Sequence, residues 1–180
     1  MPAYGAPRHW GWHRLDSSCA ARLVAEAGIG PGDLVLDIGA GDGALTAPLL
    51  VAGARVIAIE LHPERARRLR ERFASDDVVV VQTDATDLRL PRRPFSVVAN
   101  PPFGAVTAVL RRLLGPGSRL VRADLVLPRH EVRRWTSASA PGRGRWAAMF
   151  EVGVGRSIPA AAFRPPPPTG AGTLVVRRRR

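Results

Sequence analysis

Short, almost wholly apolar segments recur along this chain, and they constrain its fold more than any other feature. They are Leu34-Val35-Leu36-Asp37-Ile38, Arg55-Val56-Ile57-Ala58-Ile59-Glu60, Val78–Val81, Phe95–Ala99, Ala123–Leu127, Ala147–Val154 and Thr173–Val176. Each is rich in β-branched residues, and an unbroken apolar run of strand length means burial on both faces. Between them lie segments with helical spacing. Ser17 and Ser18 are candidate caps for a helix carrying Ala20, Leu23, Val24 and Ala27, which Gly28 and Gly30-Pro31-Gly32 end. Further helices are expected over Leu45–Val51, from Pro63 to about Phe73, over Val106–Leu114 and over His130–Trp135. Apolar strands separated by helices give an open, doubly wound α/β domain, a mostly parallel sheet covered on both faces.

Length and charge narrow the function. A chain of 180 residues makes one compact domain that buries roughly 70% of its unfolded surface, enough for a core without metal or disulfide staples. The net charge is +12, and it is unevenly placed. Residues 1–110 carry 12 Arg against 12 acids, whereas residues 111–180 carry 15 Arg against 3 acids. There is no Lys, a trait that gene composition explains better than function does. Composition does not explain the polarity along the chain, and a basic half is the electrostatic mark of a polyanionic partner such as nucleic acid. The single Cys19, within an apolar helical pattern, reads as a buried structural thiol in a reducing compartment. The longest apolar run, Ala44 to Ala54, is interrupted by Pro48 and Gly53 and is too short to span a bilayer. The N-terminus has no apolar signal region, so a cytoplasmic protein without membrane partners is expected. Nothing has the spacing of metal ligands, and no metal is expected.

In sheets of this kind the ligand lies beyond the carboxyl ends of the strands, so the residues just after each strand carry the chemistry. After the first comes Gly39-Ala40-Gly41-Asp42-Gly43. Its glycines permit a tight turn that brings backbone amides against a nucleotide-type ligand. A plain turn or a dehydrogenase would also select glycine here, but the spacing departs from the dinucleotide fingerprint. After the second comes Glu60, placed to accept from both hydroxyls of a ribose, or to stand as a surface acid before a helix. After the third comes Asp84, an acceptor for the exocyclic amine of adenine. After the fourth comes Asn100-Pro101-Pro102-Phe103. Two prolines fix an extended turn with rigid carbonyls, an Asn oxygen adds a second acceptor, and Phe103 offers a ring for a planar base. The alternative reading of this segment is a proline-rich loop. In order, the four sites describe an adenosine-shaped ligand beside a second planar amine.

Asp37 to Gly43, Glu60, Asp84 and Asn100–Phe103, in this order, resemble the rRNA adenine N6-methyltransferases, and among them the erythromycin-resistance (Erm) branch, with small-subunit dimethyladenosine transferases as relatives. The resemblance spans about residues 9–176. It implies a Rossmann-like class I S-adenosylmethionine-dependent methyltransferase with a seven-stranded sheet. The family motif Gln-Asn-Phe-aliphatic, which closes over the methionine end of the cofactor, corresponds to Trp12-His13-Arg14-Leu15, with His13 at the Asn position and Leu15 at the aliphatic one. Phe163-Arg164-Pro165-Pro166-Pro167-Pro168 resembles the Phe-x-Pro-x-Pro segment, with Thr169 and Ala171 where Val and Ser are usual. The implied organisation is an N-terminal segment over 1–16 that closes over the cofactor and one catalytic domain over 17–180. Longer members continue into a helical domain after the last strand, which is not expected here because the sequence stops at Arg177-Arg178-Arg179-Arg180.

The resemblance further implies that Asn100, Pro101 and Phe103 are catalytic. It implies that His13, Leu15, Gly39, Gly41, Glu60, Asp84 and Asn100 bind S-adenosylmethionine. The substrate it implies is an adenine of 23S rRNA, mono- or dimethylated by a monomer, with macrolide-lincosamide-streptogramin resistance as the result. Three other substrates or functions fit parts of the pattern besides the small-subunit transferases. A protein glutamine N5-methyltransferase would also use an Asn-Pro-Pro turn, because a side-chain amide has the same two hydrogens. A nicotinamide-dependent dehydrogenase would use Gly39 to Gly43 and Glu60 but not Asn100 to Phe103. A non-catalytic RNA-binding module would bind rRNA without cofactor.

Overall fold

The computed structural model describes residues 13–180. Of the N-terminal segment expected to close over the cofactor, residues 1–12, including Trp12, lie outside the described residues. The strands are β1 (Arg14–Leu15), β2 (Leu34–Ile38), β3 (Arg55–Glu60), β4 (Val78–Gln82), β5 (Phe95–Ala99), β6 (Leu120–Pro128), β7 (Phe150–Ile158), β8 (Phe163–Arg164) and β9 (Ala171–Arg178). The helices are α1 (Ser17–Ala27), α2 (Thr46–Val51), α3 (Pro63–Arg72), α4 (Val106–Leu113), α5 (Arg129–Thr136) and α6 (Arg143–Trp146).

Seven strands form one sheet in the order β4-β3-β2-β5-β6-β9-β7. β4 through β6 run parallel, and β9 is antiparallel to both its neighbours. This is the expected α/β architecture. The chain winds outward from β2 to β4 and then returns to place β5 on the other side of β2, so the strand order switches between β2 and β5. Loops after those two strands are therefore forced together at one crevice. Leu23 and Val24 of α1, Leu49 of α2 and Leu69 of α3 pack on one face of the sheet. Val109, Leu110 and Leu113 of α4, Trp135 of α5 and Trp146 of α6 pack on the other.

Several local expectations change. Asp16, not Ser17 or Ser18, caps α1, its carboxylate accepting from the amides of Ser18 (2.7 Å) and Cys19 (3.2 Å). Cys19 is half-buried rather than buried, and desolvation pushes its thiol up. Ala147–Met149 is not strand, because α6 ends only at Trp146 and the chain must turn before β7. β4 is an edge strand, and its Val79 and Val81 are 60% and 38% exposed, so its apolar run does not signify burial on both faces. Asp124, an acid within the apolar β6, is neutralised in place by the fork of Arg122, at 2.6 and 2.9 Å.

The Arg177–Arg180 end is not a loose basic tail. Arg177 and Arg178 belong to β9 and pair with Arg122 and Phe150. Arg178 donates to the carbonyls of Leu120 and Ser118 and lies 4.6 Å over the Phe150 ring. Arg179 donates to Ala147 O (3.0 Å). Arg178→Ala is therefore a stability mutation: it strips the donors from two carbonyls and should cost about 1–3 kcal/mol by urea unfolding, while RNA affinity of the folded fraction holds.

Candidate active site

The crevice is built from the loop after β2. Gly39, Gly41 and Gly43 have φ of 78°, 58° and 86°, backbone that side chains disfavour. At Gly39 space is also short: a Cβ would meet Pro102 Cδ at 3.0 Å and the Asn100 carbonyl oxygen at 3.3 Å. The glycine is what lets the loop after β2 lie against the loop after β5. The loop's amides are arranged differently from the sequence expectation. Gly39 and Ala40 both donate to Ile59 O (2.8 and 3.0 Å), Gly41 donates to Glu60 Oε2 (2.8 Å) and Gly43 to Ala40 O (2.8 Å). The first three donors are spent on the end of β3, which lies in register with β2 and needs partners, and the fourth closes the loop's own turn.

Glu60, 6% exposed at the end of β3, also accepts from the His62 amide at 2.8 Å. Each carboxylate oxygen thus holds one backbone donor and keeps a lone pair for another. Asp84 follows β4 and accepts at Oδ1 from the Thr86 amide and hydroxyl, both at 2.8 Å, which caps a 3-10 turn at Ala85–Asp87. No described residue bonds its Oδ2.

Asp37 lies at the floor of the crevice, 1% exposed, and accepts from the Thr46 hydroxyl at 2.7 Å. Burial pushes its carboxyl up to about 7, the Thr46 bond opposes the rise and the negative Glu60 adds to it. Between the ordinary value of about 3.9 and about 7, the folded protein holds a proton that the unfolded chain has shed. The stability this contributes is full below the ordinary value and is lost as pH rises through about 7. Asp37→Asn should flatten that decline in urea unfolding measured from pH 5 to pH 8.

The loop after β5 carries Asn100, Pro101, Pro102 and Phe103. Asn100 donates its amide to the His13 carbonyl at 2.8 Å, which fixes the amide orientation and leaves Oδ1 as a directed acceptor. No described residue donates to the Pro101 carbonyl, whereas Pro102 O takes the Ala105 amide at 2.9 Å. His13 stacks on Phe103 with ring centroids 5.7 Å apart and meets Phe163 edge-on at 6.5 Å. Its Nδ1 bonds Pro165 O at 2.7 Å; a carbonyl only accepts, so Nδ1 carries the proton. Next to it, β1 pairs with β8, an antiparallel ribbon in which Leu15 lies opposite Phe163. His13, Arg14, Leu15, Asp37, Gly39 and Asn100 border one cavity. All the predicted site residues thus sit at the carboxyl ends of β2 to β5 or on the strap that crosses them.

A family model described as ribosomal RNA adenine dimethylase matches residues 14–179. The chain belongs to this family. It is an S-adenosylmethionine-dependent rRNA adenine N6-methyltransferase by class, and its sheet is that of the Rossmann-like methyltransferases. It is 33% identical to an rRNA adenine N-6-methyltransferase of Corynebacterium diphtheriae, over 99% of this chain and 71% of that one. It is 35% identical to ribosomal RNA small subunit methyltransferase A of Thermosynechococcus vestitus, over 97% and 71%. The crystal structure of the 23S rRNA methyltransferase ErmE superposes with a TM-score of 0.80 at 28% identity, covering 93% of this chain and 70% of that one. Methyltransferase A is named for the small subunit and ErmE for 23S rRNA, and identities of 35% and 28% to this chain do not separate the two.

The crevice suits the cofactor. Asp37 and Glu60 are buried acids at the carboxyl ends of β2 and β3, and each Glu60 oxygen keeps a lone pair beyond its one backbone bond, an acceptor set that fits a ribose diol of a cationic nucleoside. The sequence motif included Asp37 but gave it no role in the site, although an acid inside an apolar strand was the available signal. Sequence reasoning also missed the ribbon of Arg14–Leu15 with Phe163–Arg164, since two-residue strands leave no periodicity to read.

Proposed function

We propose that this enzyme methylates N6 of an adenine in 23S rRNA, and that residues 17–180 are its catalytic domain with His13 to Asp16 as a strap over the methionine end of the cofactor. The observation that carries the reading is the Asn100 amide, whose nitrogen is held by the His13 carbonyl at 2.8 Å, so that its oxygen is left as an acceptor on a residue that borders the crevice. S-adenosylmethionine supplies the electrophilic methyl group. Glu60 would hold the ribose hydroxyls, Asp84 Oδ2 would accept from the adenine amine of the cofactor, and Gly39 and Gly41 would shape the loop against it. Leu15 and the His13 backbone close the pocket. Asp37 in its ionised form favours the cation, so cofactor affinity rises with pH as that carboxyl loses its proton.

The target N6 lone pair is delocalised into its ring, which makes it a poor nucleophile. Asn100 Oδ1 and the Pro101 carbonyl accept the two N6 hydrogens and favour a pyramidal nitrogen whose lone pair points at the methyl carbon. Phe103 holds the ring by stacking on the face that His13 leaves open. Positioning and electrostatics would carry the rate: N6 would gain the methyl carbon as the carbon–sulfur bond breaks to leave the neutral thioether S-adenosylhomocysteine, and the N6 proton, acidic only as the new bond forms, would pass to water. The adenine must leave its stack, at a cost of a few kcal/mol that is least in loops.

The 23S target and the resulting macrolide-lincosamide-streptogramin resistance follow the likeness to ErmE and the erythromycin-resistance pattern. Small-subunit dimethylation is the second reading, favoured by the likeness to methyltransferase A. Labelled methyl transfer to protein-free 23S and 16S rRNA, offered separately, decides: label in 23S alone supports the first reading and label in 16S alone replaces it.

A further inference from the structure

Arg14 and Arg164 stand directly opposite one another in the β1–β8 ribbon. Their neighbours Leu15 and Phe163 are 2% and 0% exposed, and side chains alternate along a strand, so both guanidinium groups turn outward on the same face. Like charges directly opposite on an antiparallel pair are destabilising. Among the described residues, no carboxylate forms an ion pair with either arginine. Arg164 spends only one nitrogen, on the carbonyls of Ala161 and Phe163 at 3.0 and 3.1 Å. Asp16, two residues from Arg14, senses the charge of Arg164, but its Oδ1 is committed to Ser18 and Cys19 at the start of α1.

The ribbon is fastened to the catalytic loop. Arg14 follows His13, whose carbonyl is held by Asn100 and whose ring lies on Phe103. Arg164 precedes Pro165, whose carbonyl holds His13 Nδ1. Each arginine is therefore one residue, about 3.4 Å of strand, from a group that touches the crevice.

We propose that Arg14 and Arg164 form a two-guanidinium clamp for a phosphodiester of the RNA strand that carries the target adenine. The proposal rests on the rRNA reading above. A nucleotide whose base is held by Asn100 and Phe103 projects its sugar and phosphates out of the crevice, toward the ribbon. Guanidinium forks match phosphate oxygens, and an anion between the two cations relieves their repulsion as it binds. Such contacts set the register of the strand without reading its sequence. The carboxylate of the cofactor is the competing anion, since Arg14 also borders the cofactor cavity. It would engage Arg14 alone and leave Arg164 unexplained.

The test is the affinity of full-length protein for protein-free rRNA between about 50 and 200 mM salt, at about 0.7 of log–log slope per single-strand phosphate contact. The R14Q/R164Q double variant should show a slope shallower by about 0.7, the value of one phosphate, R164Q alone should leave calorimetric S-adenosylmethionine affinity unchanged, and R14K/R164K should keep the wild-type slope. The R14Q single variant should melt no lower than wild type, because it removes a repulsion. An unchanged slope in the double Gln variant overturns the clamp. So does a loss of cofactor affinity with the slope retained, which would give Arg14 to the cofactor. A wild type that transfers no methyl group to rRNA sinks the functional reading instead, whereas methylation of rRNA beside an unchanged slope sinks the clamp alone.

Discussion

Asn100→Ala lowers the single-turnover rate of methyl transfer by about 100-fold or more, the scale of losing one preorganised polar contact to a transition state, while S-adenosylmethionine affinity changes less than about tenfold. The split follows from the geometry. In the proposed mechanism the Asn100 oxygen acts on the incoming adenine, and its nitrogen fastens His13, so truncation removes an acceptor and loosens the strap. Asn100→Asp does not rescue, because an oxygen would then face the His13 carbonyl where a donor is needed. Single-turnover kinetics at saturating RNA, with cofactor affinity by calorimetry, measure the two effects apart. An Asn100→Ala enzyme with near-normal rate would remove Asn100 from the chemistry.

Glu60→Ala has the second large effect, and it falls on binding. Two charge-assisted hydrogen bonds to ribose hydroxyls, at roughly 1.5–3 kcal/mol each, imply a loss of cofactor affinity of two orders of magnitude or more. The melting temperature falls as well, because the buried Gly41 amide and the His62 amide lose their acceptor. Glu60→Gln fails too: its NH2 group must face one of those two amides, donor against donor. A variant that melts lower but binds the cofactor normally would leave Glu60 as a brace for the loop and nothing more.

The sheet, its order of helices and the placing of the site at strand ends were legible in the sequence, because fully buried strands leave unbroken apolar runs. The same signal misled at β4, where Val79 and Val81 are exposed at an edge. The strand-end residues were legible as a set, yet what they do locally was not. Gly39 to Gly43 read as a loop offering its amides to a ligand, and only the register of β2 with β3 shows that Ile59 and Glu60 take three of them. Charge was the least legible. The basic second half read as an RNA surface, but Arg122, Arg156, Arg178 and Arg179 serve Asp124, Glu26, the Leu120 and Ser118 carbonyls, and Ala147. Nor is the division between halves strict. Phe163 and Pro165 contact His13 at the crevice, and Arg164 lies between them.

The most direct test of the account is the identity of the methylated atom. Wild-type and Asn100→Ala proteins are incubated with labelled S-adenosylmethionine and protein-free rRNA, and the RNA is digested to nucleosides for mass analysis. The account predicts label in N6-methyladenosine or N6,N6-dimethyladenosine from one mapped adenine with the wild type, and a loss of about 100-fold with the variant. Label on another nucleoside, on a glutamine of protein, or at equal rate with Asn100→Ala would contradict it.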